Sequence, residues 1–343
     1  MMNSHASQHA GPNVQTTNLC IGPLVLEAPV LMAPMAGYTD RAFRRLVRQM
    51  GAAFACTGAL LDESICVPKV LRGREFRIDD EPRPVGAQII GHNPATMAQA
   101  ACALAEHGFD LIDLNFACPV RKVLARRRGG WLLTSPRQAL EIFACVRDAV
   151  RVPVTAKVRI GLDSTASSNE NFMTLVEGLV RGGIDALTVH ARTVEQHYRG
   201  RADRGIVSEL KRLFPSLTLI ASGDVRDEAA FVECLVQGAD AVAVARGAVG
   251  NPWIFARIRA LLDGHALPPT PPLTEQRAVL ECHLAMASEL YGADHALRRL
   301  RKFWVQYAHR HPRWRDLHQA FTQVRTRERW LAILDEFYGP AQR

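Results

Sequence analysis

The chain has no apolar run approaching the ~20 residues of a membrane span, which argues against a helical membrane protein. Its eight cysteines form no CxxC pair and no Cys/His cluster at metal-ligand spacing. That argues against a zinc module or a disulfide scaffold and fits reduced thiols in a cytoplasmic protein, with no metal expected. The start, MMNSHASQHAGPNVQTTN, lacks a basic region followed by an apolar core, so no signal peptide is expected and residues 1–20 read as a disordered polar tail. No GxGxxG follows the first strand pattern, which weakens a dinucleotide-binding open sheet. Lysine is scarce, at five of 42 basic residues. What is present is an ordinary globular composition: 343 residues, 48% hydrophobic and 22% charged, with a formal net charge of +8. A basic balance of that size permits a nucleic-acid partner without requiring one.

Short apolar runs alternate with amphipathic stretches along most of the chain. The runs Val30–Ala33, Ala53–Thr57, Val85–Ile90, Leu111–Asn115, Val154–Val158, Ala186–His190, Leu217–Ala221 and Ala241–Ala245 read as strands. Helical patterns lie between them at Asp40–Met50, Pro94–His107, Pro136–Val150, Asn169–Arg181, Gly205–Phe214, Asp227–Gln237 and Pro252–Leu262, with a weaker one near Leu61–Leu71. Eight strand-helix alternations predict an α/β fold, a (β/α)8 TIM barrel over residues 21–265. The proline-rich segment Ala266–Leu273 reads as a linker. Beyond it, Thr274–Tyr291, Ala296–His309, Trp314–Gln323 and Arg327–Phe337 predict an all-helical domain, residues 274–343. That domain holds 12 Arg/Lys against 8 Asp/Glu and nine of the 23 aromatics, so it carries half the net charge. Leu297, Leu300, Trp304 and Tyr307 form an apolar stripe at helical spacing, with Arg298, Arg301 and Lys302 on an adjoining face. Aromatics interleaved with cations suit a nucleic-acid platform, and equally a small bundle with a solvated basic face.

Barrel enzymes place their chemistry at the C-terminal ends of the strands. The unusual residues of this chain fall there. The first strand runs into Pro34-Met35-Ala36-Gly37, small residues that let backbone approach a flat ligand. Gln88, Asn115, Lys157, Arg159 and His190 stand at successive strand ends. The turns Ser222-Gly223-Asp224 and Ala245-Arg246-Gly247 follow strands seven and eight, the usual phosphate position of a barrel. Amides, a lysine and a histidine around one mouth suit a heterocycle carrying a phosphate, such as flavin mononucleotide (FMN). After Asn115 comes a thiol, Cys118, and then the basic cluster Arg121, Lys122, Arg126, Arg127 and Arg128. A thiol-bearing loop followed by dense positive charge suggests chemistry beside a polyanion; the alternative is an inert cysteine and a solvated turn.

These motifs resemble those of the tRNA-dihydrouridine synthases, flavin enzymes that reduce selected uridines in tRNA, and most closely the bacterial B-type subgroup. The resemblance runs from about Leu24 to Phe337 and rests on APMAGYTDRAFR at Ala33–Arg44, DLNFACPVRKV at Asp113–Val123, KVRIG at Lys157–Gly161, VHART at Val189–Thr193, SGD at Ser222–Asp224 and ARGAVGNPWIF at Ala245–Phe255. It implies FMN held by Pro34, Met35, Ala36, Gln88, Lys157, His190, Ser222, Gly223, Asp224, Ala245, Arg246 and Gly247, with NADPH as reductant. It implies hydride transfer to C6 of a flipped-out uracil and protonation of C5 by Cys118, with Asn115 and Arg159 toward the base. Arg121, Lys122, Arg126, Arg298, Arg301 and Lys302 are expected on tRNA phosphates. A monomer is expected. Four departures from the family pattern stand out: Ala117 in place of glycine, Gly130-Trp131 in the basic loop, Thr57-Gly58-Ala59 in place of an acidic pair, and Ser222 in place of asparagine. They leave open a family member acting on another RNA, or an RNA-binding paralogue without redox activity.

Overall fold

The computed structural model describes residues 18–340. Most of the expected polar tail, residues 1–17, and the last three residues, 341–343, lie outside the described residues. Eight parallel strands close into a barrel: β1 Val30–Met32, β2 Phe54–Cys56, β3 Val85–Ile90, β4 Leu111–Phe116, β5 Val154–Arg159, β6 Ala186–His190, β7 Leu219–Ser222 and β8 Ala241–Val244. Each pairs with its neighbour, and β8 returns to β1 through Val242 opposite Val30. The (β/α)8 barrel expected from the alternation is therefore the fold.

The strands are buried along their length, as expected when helices cover the outside and side chains fill the inside. Outside them lie α1 Arg41–Gln49, α2 Asp62–Ile65, α3 Pro94–Glu106, α4 Arg121–Leu124, α5 Pro136–Ala149, α6 Ala166–Arg181, α7 Gly205–Leu213, α8 Glu228–Val236 and α9 Trp253–Leu262. Helix starts follow their caps. Asp40 accepts from Phe43 N at 2.9 Å, Asn93 from Thr96 N at 3.0 Å with Pro94 in the first turn, and Asp227 from Ala230 N at 2.8 Å.

Three boundaries differ from the sequence reading. Leu19–Ile21 pairs with Leu24–Leu26 across Gly22, so ordered structure begins inside the expected tail. Ile21 and Leu26 are buried, and Ile21 lines a small void inside the barrel. The weak helix near 61–71 shortens to α2 and two 3-10 turns, because Pro68 cannot continue it. β7 begins at Leu219 rather than Leu217, since the Leu217 carbonyl is taken by the Lys211 ammonium at 2.9 Å.

After the exposed segment that follows α9, four α-helices follow among the described residues: α10 Leu273–Tyr291, α11 Ala293–Tyr307, α12 Trp314–Thr322 and α13 Arg327–Tyr338. The predicted stripe Leu297, Leu300, Trp304 and Tyr307 is buried. Trp304 packs on Trp330 and Phe321 with ring centroids 5.8 and 6.0 Å away. The helical part docks on α1, where Phe43 meets Phe303 at 4.9 Å and stacks on His283 at 5.6 Å. Polar ties surround this contact: Tyr291 donates to Asp40 at 2.8 Å and Trp253 to Glu275 at 2.7 Å. The aromatic side chains are thus mainly core rather than an exposed platform; seven of the nine beyond residue 273 are buried.

Candidate active site at the barrel rim

A cavity of about 730 Å³ opens at the C-terminal ends of the strands, and a smaller one of about 70 Å³ adjoins it under the turns after β7 and β8. The larger volume lies in the ~300–1,000 Å³ range of cofactor and substrate pockets. Cys118 lies on its wall, on the loop after β4.

That loop is fixed by a chain of hydrogen bonds rooted in the barrel. Asn115 Oδ1 accepts from the amides of Ala117 at 3.1 Å and Cys118 at 3.0 Å. Its Nδ2 donates to Gln88 Oε1 at 2.7 Å, and Gln88 Nε2 donates to Asp113 Oδ2 at 2.7 Å. Thr155 Oγ1 donates to the other Asp113 oxygen at 2.6 Å. Backbone amides only donate and a carboxylate only accepts, so both side-chain amides between them have one permitted orientation. One N–H of each remains for the cavity. The carbonyl of Cys118 accepts from Gly130 N at 3.0 Å, and that of Ala117 from Arg159 Nε at 3.0 Å. Burial pushes the Cys118 thiol up, against the Val120 amide, Arg159 and Lys157, so at neutral pH it holds its proton.

Beside the thiol stands a cluster of positive groups. Lys157 is buried, and its ammonium has no hydrogen-bonding or ion-pair partner among the described residues. Burial, together with Arg159, lowers it to about 8. His190, buried among Lys157, Arg159, Arg192 and Arg246, is pulled down to about 2, burial first and those cations after it. It is therefore neutral, and its Nε2, 3.4 Å from Arg192, accepts. Asp224 is the carboxylate facing the guanidiniums of this group, and Asp113 acts on Lys157 from inside the barrel. The burial of Asp224 acts upward and is outweighed by Arg192, the Ala202 amide and Arg246, so it stays ionised. Arg159 and Arg192 also clamp the loop after β6 from below, through the carbonyls of Thr193, His197, Arg199 and Gly200. The loop carries Tyr198 to the cavity, with the Arg246 guanidinium 4.3 Å from its ring. An unpaired buried ammonium and three guanidiniums, Arg159, Arg192 and Arg246, against Asp224 and the deeper Asp113 make a site for a ligand with negative charge; a phosphate-bearing heterocycle fits this donor set.

The structure brings most expected residues together. Met35, Ala36, Gln88, Asn115, Cys118, Lys157, Arg159 and His190 line the larger cavity. Ser222, Gly223, Asp224 and Ala245 line the smaller one, and Arg246 and Gly247 both. Pro34 faces a separate void of about 30 Å³ inside the barrel. Arg121, Lys122, Arg126 and Arg127 lie exposed on and after α4, outside the cavity. Arg128 departs from this cluster: it is buried and pairs with Glu63 at 2.6 Å. Arg298 is exposed on α11 and Arg301 half-buried. Lys302 donates to the carbonyl of Gly37 and lies 4.3 Å from the Tyr38 ring centre, so it ties the helical part to the loop after β1. The helical part reaches the cavity through Gln306, His309 and Arg310, which the sequence reading did not single out. Gln306 lies four residues beyond Lys302, and that helical spacing was the available signal. Tyr198, Arg226 and Asn251 were also not foreseen; they stand on loops whose path no local pattern encodes.

A family model described as dihydrouridine synthase matches residues 31–340. The chain is 35% identical over 323 residues to tRNA-dihydrouridine synthase B of Xanthomonas campestris pv. campestris, covering 93% of this chain and 95% of that one. It is 33% identical over 329 residues to tRNA-dihydrouridine synthase B of Pseudomonas aeruginosa, covering 94% and 96%. A probable tRNA-dihydrouridine synthase of Mycobacterium tuberculosis is 33% identical over 336 residues, covering 94% and 85%. Two solved structures are alike in fold alone. A 2-naphthoyl-CoA reductase in complex with 2-naphthoyl-CoA has a TM-score of 0.59 at 11% identity, over 74% of this chain and 52% of that one. The 6-hydroxypseudooxynicotine amine oxidase of Pseudomonas geniculata N1 has a TM-score of 0.60 at 13% identity, over 82% and 55%. The chain spans about half the length of both of these structures. It belongs to the dihydrouridine synthase family of oxidoreductases.

Proposed function

We propose that this chain reduces the 5,6 double bond of uridines in tRNA, using FMN reduced by NADPH, as a monomer in the cytoplasm. The observation that carries the reading is the protonated Cys118 thiol held beside a buried, unpaired Lys157 and a neutral His190 at the rim of a family barrel. Bound FMN supplies the hydride that reaches C6 of the uracil. The residues of the chain do the rest. Lys157, His190, Gln88 and the backbone around Met35 and Ala36 hold the flavin ring. The turns at Ser222–Asp224 and Ala245–Gly247 hold its phosphate, with Arg246 as the charge. Asn115 offers its one remaining N–H to the base. Cys118 Sγ gives its proton to C5, and burial keeps that proton in place until it is needed. The exposed cations Arg121, Lys122 and Arg126, with Arg298 and Arg301, take RNA phosphates and make binding salt-dependent.

The test begins with the visible absorbance of the purified protein, with added FMN as control. Tightly bound flavin that NADPH bleaches and tRNA restores is the expected result. Cys118→Ala keeps flavin and RNA binding but slows uridine reduction at least 10²-fold, in the range of general acid catalysis. Normal turnover in that variant removes the proton-donor role. A colourless protein that takes up no FMN favours an RNA-binding paralogue instead.

A further inference from the structure

Trp314 is the one aromatic of the helical part left exposed, at 37%. It opens α12, with three residues between it and the turn Ala308–Arg310 that borders the cavity. Its ring centroid lies 5.1 Å from that of His309, tilted by 41°, and the His309 ring lies 5.9 Å from that of His318. The Arg315 guanidinium sits 4.8 Å from the Trp314 ring centre. His309 itself is exposed and lines the cavity, with Arg310 beside it. The neighbouring carboxylates are already spoken for: Asp316 and Glu336 pair with Arg313, at 3.4 and 3.5 Å, and Glu228 with Arg257. Arg310 and Arg315 are left without an ion pair among the described residues. A ring at the cavity edge is therefore backed by a second ring and flanked by free guanidiniums. An apolar groove for a peptide is absent there among the described residues, and the charge left without an ion pair, on Arg310 and Arg315, is positive.

We propose that this segment is a nucleotide subsite outside the cavity. An unpaired base adjacent to the one that enters the cavity stacks on His309, the Trp314 ring holds His309 in place, and Arg310 and Arg315 take the flanking phosphates. Stacking of this kind accepts any base, so the subsite adds affinity and register rather than sequence preference. The inference rests on the reading that RNA is the substrate.

The experiment uses the flavin-loaded full chain and an RNA stem-loop carrying 2-aminopurine next to the target uridine. Binding is followed by anisotropy and stacking by 2-aminopurine fluorescence, for the native protein and for Trp314→Ala, Trp314→Phe, His309→Ala, Arg315→Ala and Arg121→Ala. Trp314→Ala and His309→Ala each weaken binding about 10-fold, the low end of one base-aromatic stack, and relieve the quenching of 2-aminopurine. Trp314→Phe retains both. Trp314→Ala leaves the salt slope of the affinity unchanged, whereas Arg315→Ala lowers it by about 1. An unchanged flavin spectrum shows that the variants are folded. Native affinity and quenching in Trp314→Ala, with weaker binding in Arg121→Ala, overturn the subsite while leaving RNA as substrate. No RNA binding by the native protein overturns both.

Discussion

Substituting Asn115 by aspartate is isosteric, yet it should destabilise the protein in a pH-dependent way. The new carboxylate still accepts from the amides of Ala117 and Cys118, but its second oxygen faces Gln88 Oε1 where a donor stood at 2.7 Å. Flipping Gln88 only moves the conflict, because its oxygen then faces the Asp113 carboxylate, again at 2.7 Å. One buried acceptor-acceptor contact is unavoidable, and one of its members is charged. A lost buried hydrogen bond costs about 1–3 kcal/mol, more when charge is involved, so about 3 kcal/mol is expected here. The conflict ends when the new carboxyl, or the Asp113 carboxyl that burial already pushes up, takes a proton and donates. A penalty of about 3 kcal/mol corresponds to a folded pKa raised by about two units over the ordinary ~3.9. The sign follows: the deficit is full above pH ~6 and disappears as pH falls toward ~4, because the folded form then binds the proton more tightly than the unfolded chain. Urea denaturation at pH 8 and pH 5 measures it. The midpoint of Asn115→Asp should fall by roughly 1 M at pH 8 and recover much of that at pH 5, given slopes of about 1–3 kcal/mol/M or somewhat steeper. Asn115→Ala, which adds no charge, should show the same loss at both pH values. An Asn115→Asp deficit independent of pH, or absent at pH 8, would refute the directed chain from Asp113 to the thiol loop.

Two further outcomes follow from buried charge. Arg44 and Glu81 form a bidentate pair with side chains 2% and 1% exposed, and Arg44 also donates to the Thr39 carbonyl at 3.0 Å. Glu81→Ala should cost about 3–5 kcal/mol in urea denaturation by stranding the guanidinium, with the double change Arg44→Met, Glu81→Leu closer to the native protein. The Lys157 ammonium, lowered to about 8, is charged below that pH and neutral above it. Affinity for FMN should therefore fall between pH 7 and pH 9 by fluorescence titration, and Lys157→Met should flatten that part of the profile.

The barrel was legible because burial on both faces leaves each strand as a short apolar run, and because four of the helices between them start on a side-chain cap, Asp40, Asn93, Thr165 or Asp227. The rim was legible because Gln88, Asn115, Lys157 and His190 are polar residues at the ends of such runs. Side-chain direction was not. Arg128 sits in the same basic cluster as Arg126, yet turns inward to Glu63, 65 residues away. Lys302 belongs to a basic helix face, yet is drawn to the Gly37 carbonyl and the Tyr38 ring. Local pattern carries no information on either partner. The same holds for Asp113, which interrupts an apolar run without explanation until β3 and β5 bring Gln88 and Thr155 beside it.

The departures from the family pattern become intelligible once the loop's hydrogen bonds are seen to be backbone bonds. Ala117 in place of glycine keeps its N–H on Asn115 and its carbonyl on Arg159, and its φ is outside the left-handed region, so the added methyl brings no backbone strain. Gly130 keeps its N–H on the Cys118 carbonyl. A Cβ there would lie 2.6 Å from Val194 Cγ2, so the buried Val194 occupies the space a side chain would need. Gly58 approaches the first loop less tightly: its Cβ would lie 3.1 Å from the Met35 carbonyl oxygen. The loss of an acid in Thr57-Gly58-Ala59 thus leaves Ala59 on the cavity wall and Asp224 bound up with Arg192 and Arg246. The changes at Ala117 and Gly130 leave the thiol loop's hydrogen bonds intact, the loss of the acid shifts the mouth toward positive charge, and nothing in the structure explains Ser222. A rim altered in this way remains able to hold a phosphate-bearing ligand, and it opposes a polyanion less than the family pattern would.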